Sequence, residues 1–158
     1  MHELRITTLG LELPKAAEPR YEYVPVVVHA GTSYVSGQLP WSGGSLVATG
    51  LVGAEVSVEL AETAARCCLL QALAALRAAL GTLDRVERIL KVTGFVASAP
   101  GFRDQPRVID AASRLLGEVF GDAGRHARSA VGVAELPRGA PVEIELIVAV
   151  RPSETGGG

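Results

Sequence analysis

The chain has 158 residues, 48% of them apolar and 20% charged, which is enough for one domain with a proper core and too apolar for long disorder. Its formal net charge is -2 and only 4% of its residues are aromatic. General attraction to nucleic acid and a base-stacking platform for single strands are therefore both excluded.

Residues 1–20 mix charged and apolar types and end in a proline-punctuated stretch, which reads as a short helical turn over Met1–Leu9 and then an extended arm. Tyr23–His29 (YVPVVVH) is rich in β-branched residues, and Pro25 within it argues for an edge strand. Ala30-Gly31-Thr32 supplies a turn and Ser33–Gln38 runs back, giving a hairpin. Trp41–Ser45 (WSGGS) reads as a loop and Leu46–Thr49 as a short strand. Ser57 is the N-cap of a long helix ending at Leu80, with Gly81 closing it. A stripe from Leu60 through Leu69, Leu73 and Leu76 to Ala79 and Leu80 faces a sheet, and Glu62 and Arg66 pair on the wet side.

Leu90–Ala97 is the next strand. A second helix starts near Asp104 or Gln105 with Pro106 in its first turn, carries an apolar face from Val108 to Phe120, and stops at Gly121. Ser129–Ala134 and Val142–Val150 close the domain as two strands joined by Glu135–Pro141. The tail from Pro152 has nothing to bury and is expected to be disordered. The order predicts an α+β sandwich over residues 21–151, a mostly antiparallel sheet with two helices on one face, between the arm 1–20 and the tail 152–158.

Cys67 and Cys68 are adjacent, and His2, His29 and His126 are scattered, so neither a disulfide framework nor a metal cluster is expected. The N-terminus lacks the basic start and unbroken apolar run of a secretory signal, and no window holds 18 uncharged apolar residues. The expectation is a soluble, cytoplasmic protein without membrane contact.

Side chains alternate along strands. In the last strand Val142, Ile144, Leu146, Val148 and Val150 face the helices, leaving Glu143 and Glu145 on the other side. The preceding strand can be registered so that Arg128, with Ala130 and Gly132, joins Glu143 on that non-helix face. An arginine there offers a two-pronged grip on a carboxylate or phosphate, and a nearby glutamate can hold and activate a water. The allowed registers put the two Cα atoms about four residues apart, roughly 13 Å, a spacing for clamping a small molecule between them. The same mixed face also fits a salt-bridge network between subunits.

These residues are recognisable. Gly124–Val150 (GRHARSAVGVAELPRGAPVEIELIVAV) resembles the signature of the Rid family, also called YjgF/YER057c/UK114. Tyr34–Pro40 (YVSGQLP), Gly50–Val56, Leu83–Ala97 and the FxxQPxVIxxAS pattern over Phe102–Ser113 extend the likeness to nearly all of residues 20–151. The resemblance implies a chorismate-mutase-like fold assembled as a homotrimer with clefts between subunits. It also implies hydrolysis of reactive 2-enamine or 2-imino acids to 2-keto acids and ammonia, with no cofactor. Carried over by position, Arg128 grips the substrate carboxylate and Glu143 positions the attacking water, while Tyr23 and Ser36 line the cleft.

Two positions depart from the better-studied deaminases. Ala130 stands where they have a cysteine and Asp110 where they have an asparagine. A carboxylate at 110 opposes an anionic substrate unless it is neutralised, and Arg114, one turn on, could do that. His126 reads as a structural residue at the turn before the strand rather than as an aid to proton transfer; Tyr23 reads equally as a packing or a pocket residue, Trp41 as lining a pocket mouth or capping the hydrophobic edge, and Glu145 as a structural residue bonded to backbone or to an arginine across an interface. Ser36 lacks an Asp-His pair and is no nucleophile. Two other functions compete with the deaminase: a trimer that binds small carboxylate metabolites without turnover, and the RNA-acting, translation-inhibiting role of older family labels. For the last, the only local basic cluster is Arg125, His126, Arg128 and Arg138.

Overall fold

A computed structural model of the chain describes residues 1–18 and 20–153. The final tail residues, 154–158, for which disorder is expected, lie outside the described set. In chain order the elements are α1 (His2–Thr8), β1 (Val26–His29), β2 (Thr32–Gln38), β3 (Trp41–Ser42), β4 (Ser45–Leu46), α2 (Val58–Leu80), β5 (Val86–Ala97), α3 (Gln105–Phe120), β6 (Ala127–Val133) and β7 (Val142–Val150). This is the mixed α+β fold expected, with a mostly antiparallel sheet and the two long helices packed on it.

Both long helices follow from their ends. The Ser57 hydroxyl accepts the Leu60 N–H at 3.1 Å, and Gly81 leaves α2 in the left-handed region at φ 82°. α2 buries an alanine-rich stripe, Ala61, Ala64, Ala65, Cys68, Leu69, Ala72, Leu73 and Leu76, which lets it lie close to β7 and α3. Its length and composition alone would suit a membrane span, but most of it is buried as the core helix of this domain. Leu60 and Ala79, at the ends of the expected stripe, are exposed. Glu62 bonds Arg107 of α3 at 3.1 Å rather than Arg66 of its own helix, because the two helices run side by side.

The β1–β2 hairpin turns on Ala30 and Gly31, both at positive φ, the geometry that matches the twist of paired strands. Pro25 stands just before β1, and β1 is an edge strand. Where the sequence reads as a loop and then a strand from Leu46, the chain makes a separate two-stranded hairpin, β3–β4, around Gly43 and Gly44. β5 starts four residues earlier than its pattern suggests, since register shifts near Val86–Lys91 break the period-two alternation. α1 buries Ile6 and packs on α3; Leu11 and Leu13 of the following segment lie against the core.

The main sheet runs β1-β2-β7-β5-β6. β6 pairs in parallel with β5, after a crossover through α3, and every other pairing is antiparallel. The last two strands are therefore not a hairpin, and the expected register between them does not exist. β5 lies between them. The eight-residue connection 134–141 can reach about 26 Å, ample for the roughly 10 Å across two strand spacings.

Register then decides faces. Val92, fully buried under the helices, pairs with Leu146 on one side and with Arg128 on the other. Phe95, three residues on, pairs with Glu143 and Val131. Partners across a sheet share a face. Arg128 accordingly faces α3 at the sheet edge, while Glu143 faces the side without helices, which corrects the expectation of a common face. That bare side also carries Val27, Tyr34 and Val131, each between 42% and 49% exposed.

Candidate functional site

Glu143 sits on the central strand β7, in the wall of an open cavity of about 1330 Å³ that Cys67, Leu70 and Gln71 of α2 also line. Tyr23, Ser36, Trp41, Arg138 and Glu145 share its walls, and Glu12–Lys15, Ala17 and Glu18 of the N-terminal arm contribute to the rim. Gly37 makes room for the carboxylate: a Cβ there would stand 2.6 Å from Glu143 Oε1. Burial raises the Glu143 carboxyl above its ordinary range, and the negative charge of Glu145 adds to that. The group is thereby a stronger base when ionised than a surface glutamate.

The rest of this cavity is pinned by short bonds. Ser36 Oγ donates to the Val24 carbonyl at 2.8 Å, so its hydroxyl ties the wall together. Gln71 Nε2 and Cys67 Sγ both donate to the Trp41 carbonyl, at 2.8 and 3.0 Å. The Arg20 and Arg138 guanidiniums lie 5.8 and 5.7 Å from the Trp41 ring centre, in cation–π range. Burial pushes the Cys67 thiol up, and the Cys68 thiol further, where the Cys67 and Glu143 charges add to burial. Neither cysteine is a ready nucleophile.

Arg128 occupies the other side of the sheet, at its β6 edge. Its Nη1 donates to Asp110 Oδ1 at 2.6 Å and to Ser113 Oγ at 3.2 Å, both on α3. Ser113 Oγ lies 3.0 Å from His126 Nε2, and His126 Nδ1 lies 2.6 Å from the Gly124 carbonyl. A carbonyl only accepts, so this network assigns the hydrogen to Nδ1 and leaves Nε2 to accept the serine hydroxyl. Arg125, His126 and Arg128 line a shallow hollow of about 310 Å³ here, with Ser113, Gly117 and Gly124. Ala130, on the same face as Arg128, is partly buried against the core.

Of the residues singled out from sequence, Tyr23, Ser36 and Glu143 come together in one place, and Arg128, Asp110 and Ala130 in another. A single chain does not bring the two groups together. Asp110 is neutralised by Arg128, not by Arg114, which points to solvent on the exposed side of α3. The basic cluster also divides: Arg138 lines the large cavity, and Arg125, His126 and Arg128 the hollow. Ser113 is the residue the sequence reading missed. It lies three positions after Asp110, hence on the same helix face, and that spacing was its available signal. Among the described residues no three His, Cys, Asp or Glu side chains gather as a metal would require.

Residues 3–145 match the family described as "YjgF/chorismate_mutase-like, putative endoribonuclease". The chain is 48% identical over 141 residues to Protein TCP17 of Trypanosoma cruzi, covering 89% of this chain and 88% of that one. It is 47% identical, with a TM-score of 0.88, to the crystal structure of Atu1372 from Agrobacterium tumefaciens, a protein of unknown function, across 95% of this chain and 92% of that one. It also resembles Escherichia coli TdcF with bound serine: TM-score 0.63, 27% identity, 87% of this chain and 94% of that one.

Proposed function

Because this chain belongs to the YjgF/chorismate-mutase-like family, we propose that it hydrolyses reactive 2-imino and 2-enamine compounds to the 2-keto compound and ammonia. The work is done in clefts between the subunits of a cytoplasmic homotrimer. Each cleft unites the Arg128 edge of one subunit with the Glu143 cavity of the next. The observation that carries this reading is the separation itself: a donor fork and an activated carboxylate, the two groups such a hydrolysis needs, lie on opposite faces of one sheet. Only a second copy can bring them together. Two further features support it. The uncovered face presents Val27, Tyr34 and Val131 to solvent, apolar surface suited to burial between subunits. TdcF, of the same fold, holds serine, a ligand of the size proposed.

In the reaction, guanidinium hydrogens of Arg128 hold the carboxyl-type group next to the C=N carbon. Ionised Glu143 takes a proton from a water as the water oxygen bonds to that carbon, and the C=N electron pair moves to nitrogen, which receives that proton from Glu143. Ionised again, Glu143 takes the hydroxyl proton of the resulting carbinolamine and passes it to the same nitrogen. The C–N bond breaks as the O–H electron pair forms the C=O bond, so ammonia leaves and the oxygen becomes the keto group. One water is consumed and one ammonia released.

The test is complementation. Arg128→Ala and Glu143→Gln homotrimers should each release little ammonia from 2-iminopropanoate or its amide generated in situ. Trimers refolded from an equal mixture should regain about a quarter of wild-type activity, because random assembly leaves that share of clefts with both groups intact. No recovery on mixing would reject the shared cleft. Full activity in the Arg128→Ala protein would reject the site. Keto-acid binding without turnover would instead favour a binding protein.

A further inference from the structure

Arg128 is met by a carboxylate before any ligand arrives. Asp110 Oδ1 accepts from Nη1 at 2.6 Å, and the aspartate is half exposed, with the arginine about a quarter exposed. Within the described residues, Nε and Nη2 of Arg128 and Oδ2 of Asp110 make no hydrogen bond. Ser113, itself held by His126, accepts the second bond from Nη1 and fixes that prong. What the pair presents outward is consequently not a cationic fork but a neutral edge: unused N–H donors beside an unused carboxylate oxygen.

We propose that Asp110 is a specificity-determining residue which makes this site select an uncharged carboxamide over a free carboxylate. A primary amide matches the edge atom for atom. Its C=O accepts from the guanidinium while its N–H donates to Asp110. A carboxylate offers two acceptors, one of which meets the aspartate oxygen without a hydrogen between them, and two negative charges at contact repel. The substrate class is then the 2-imino or 2-enamine amide: R–C(=NH)–CONH2 and water give R–C(=O)–CONH2 and ammonia, with the amide bond untouched. This rests on the proposed docking role of Arg128, and binding can be read apart from turnover.

The experiment compares pyruvamide with pyruvate by calorimetry on the wild-type assembly, Asp110→Asn and Arg128→Ala, each checked for unchanged mass and circular dichroism. Wild type should bind pyruvamide at least tenfold more tightly than pyruvate. Asp110→Asn should reverse that order, since an asparagine leaves the guanidinium charge uncompensated, and Arg128→Ala should lose both ligands. A wild-type preference for pyruvate, an unchanged ratio in Asp110→Asn, or no pyruvamide binding at tens of millimolar would each overturn the inference. Should the preference and its reversal hold while neither imine releases ammonia, the hydrolytic reading fails and the selectivity stands. Should ammonia be released equally from acid and amide, the selectivity fails and the hydrolysis stands.

Discussion

The two halves of the site are built on opposite plans. Around Arg128 the side chains are linked in a chain: Asp110 and Ser113 bond Nη1 of the guanidinium, His126 bonds Ser113, and the Gly124 carbonyl bonds His126. These groups come from a packed helix, an edge strand and the short turn that joins them. The half-buried Glu143 carboxylate instead borders an open cavity, with a glycine opposite and an arm on the rim. The braced half gives geometry and the open half gives reactivity. A recognition group must be pre-set, whereas a base must be free to exchange protons with water and substrate.

That contrast predicts different failures. The largest effect belongs to the braced side. A Cβ on Gly124 would run into the Leu116 carbonyl inside α3, backbone that cannot swing away. Gly124→Ala should cost about 3 kcal/mol in urea unfolding; a loss within about 1 kcal/mol would show that the brace is slack. On the open side a Cβ at Gly37 meets only the movable end of Glu143. Gly37→Ala should lower ammonia release about tenfold by displacing the base, while stability changes by less than about 1 kcal/mol. Equal damage to both readouts would erase the distinction.

A smaller effect sharpens it. Glu143 is raised first by burial and then by Glu145, so Glu145→Gln should move it only part of the way back. The base must be ionised, and the rising limb of the activity profile should shift to lower pH in that variant. For stability the sign is the opposite of a salt-bridged carboxylate. The folded chain holds this proton more tightly than the unfolded chain, so Glu143's contribution is greatest below the ordinary carboxylate range. It is lost as pH rises through the elevated value. Unfolding midpoints measured across that window should fall less steeply in Glu145→Gln. The smallest effect lies away from both halves: Arg107, exposed between Glu59 and Glu62, should leave the unfolding midpoint in urea nearly unchanged when replaced by Ala, because solvent and salt screen an exposed pair.

Much of the fold was legible because its signals are local. Ser57 and Gly81 bound α2 where a capping side chain and a left-handed glycine place the ends of a helix. Strict alternation from Val142 to Val150 marks the buried face of β7. The start of β5 was not legible, because bulges there destroy alternation. Nor was the β3–β4 hairpin, whose strands are two residues long and carry no pattern. At the site, the residue types Arg128, Glu143, Tyr23 and Ser36 could be chosen from the chain. Their grouping could not, nor could the partner of Asp110: helix spacing offers Arg114, and the fold supplies Arg128.

Residue order along the chain sufficed for the elements, the family and the chemistry on offer, since caps, periodicity and motif spacing act over a few residues. Which strand lies beside which was settled only by the packed sheet. β5 between β6 and β7 sends Arg128 and Glu143 to opposite faces, because strand neighbours answer to the burial of the whole apolar surface under α2 and α3 and not to the length of a loop.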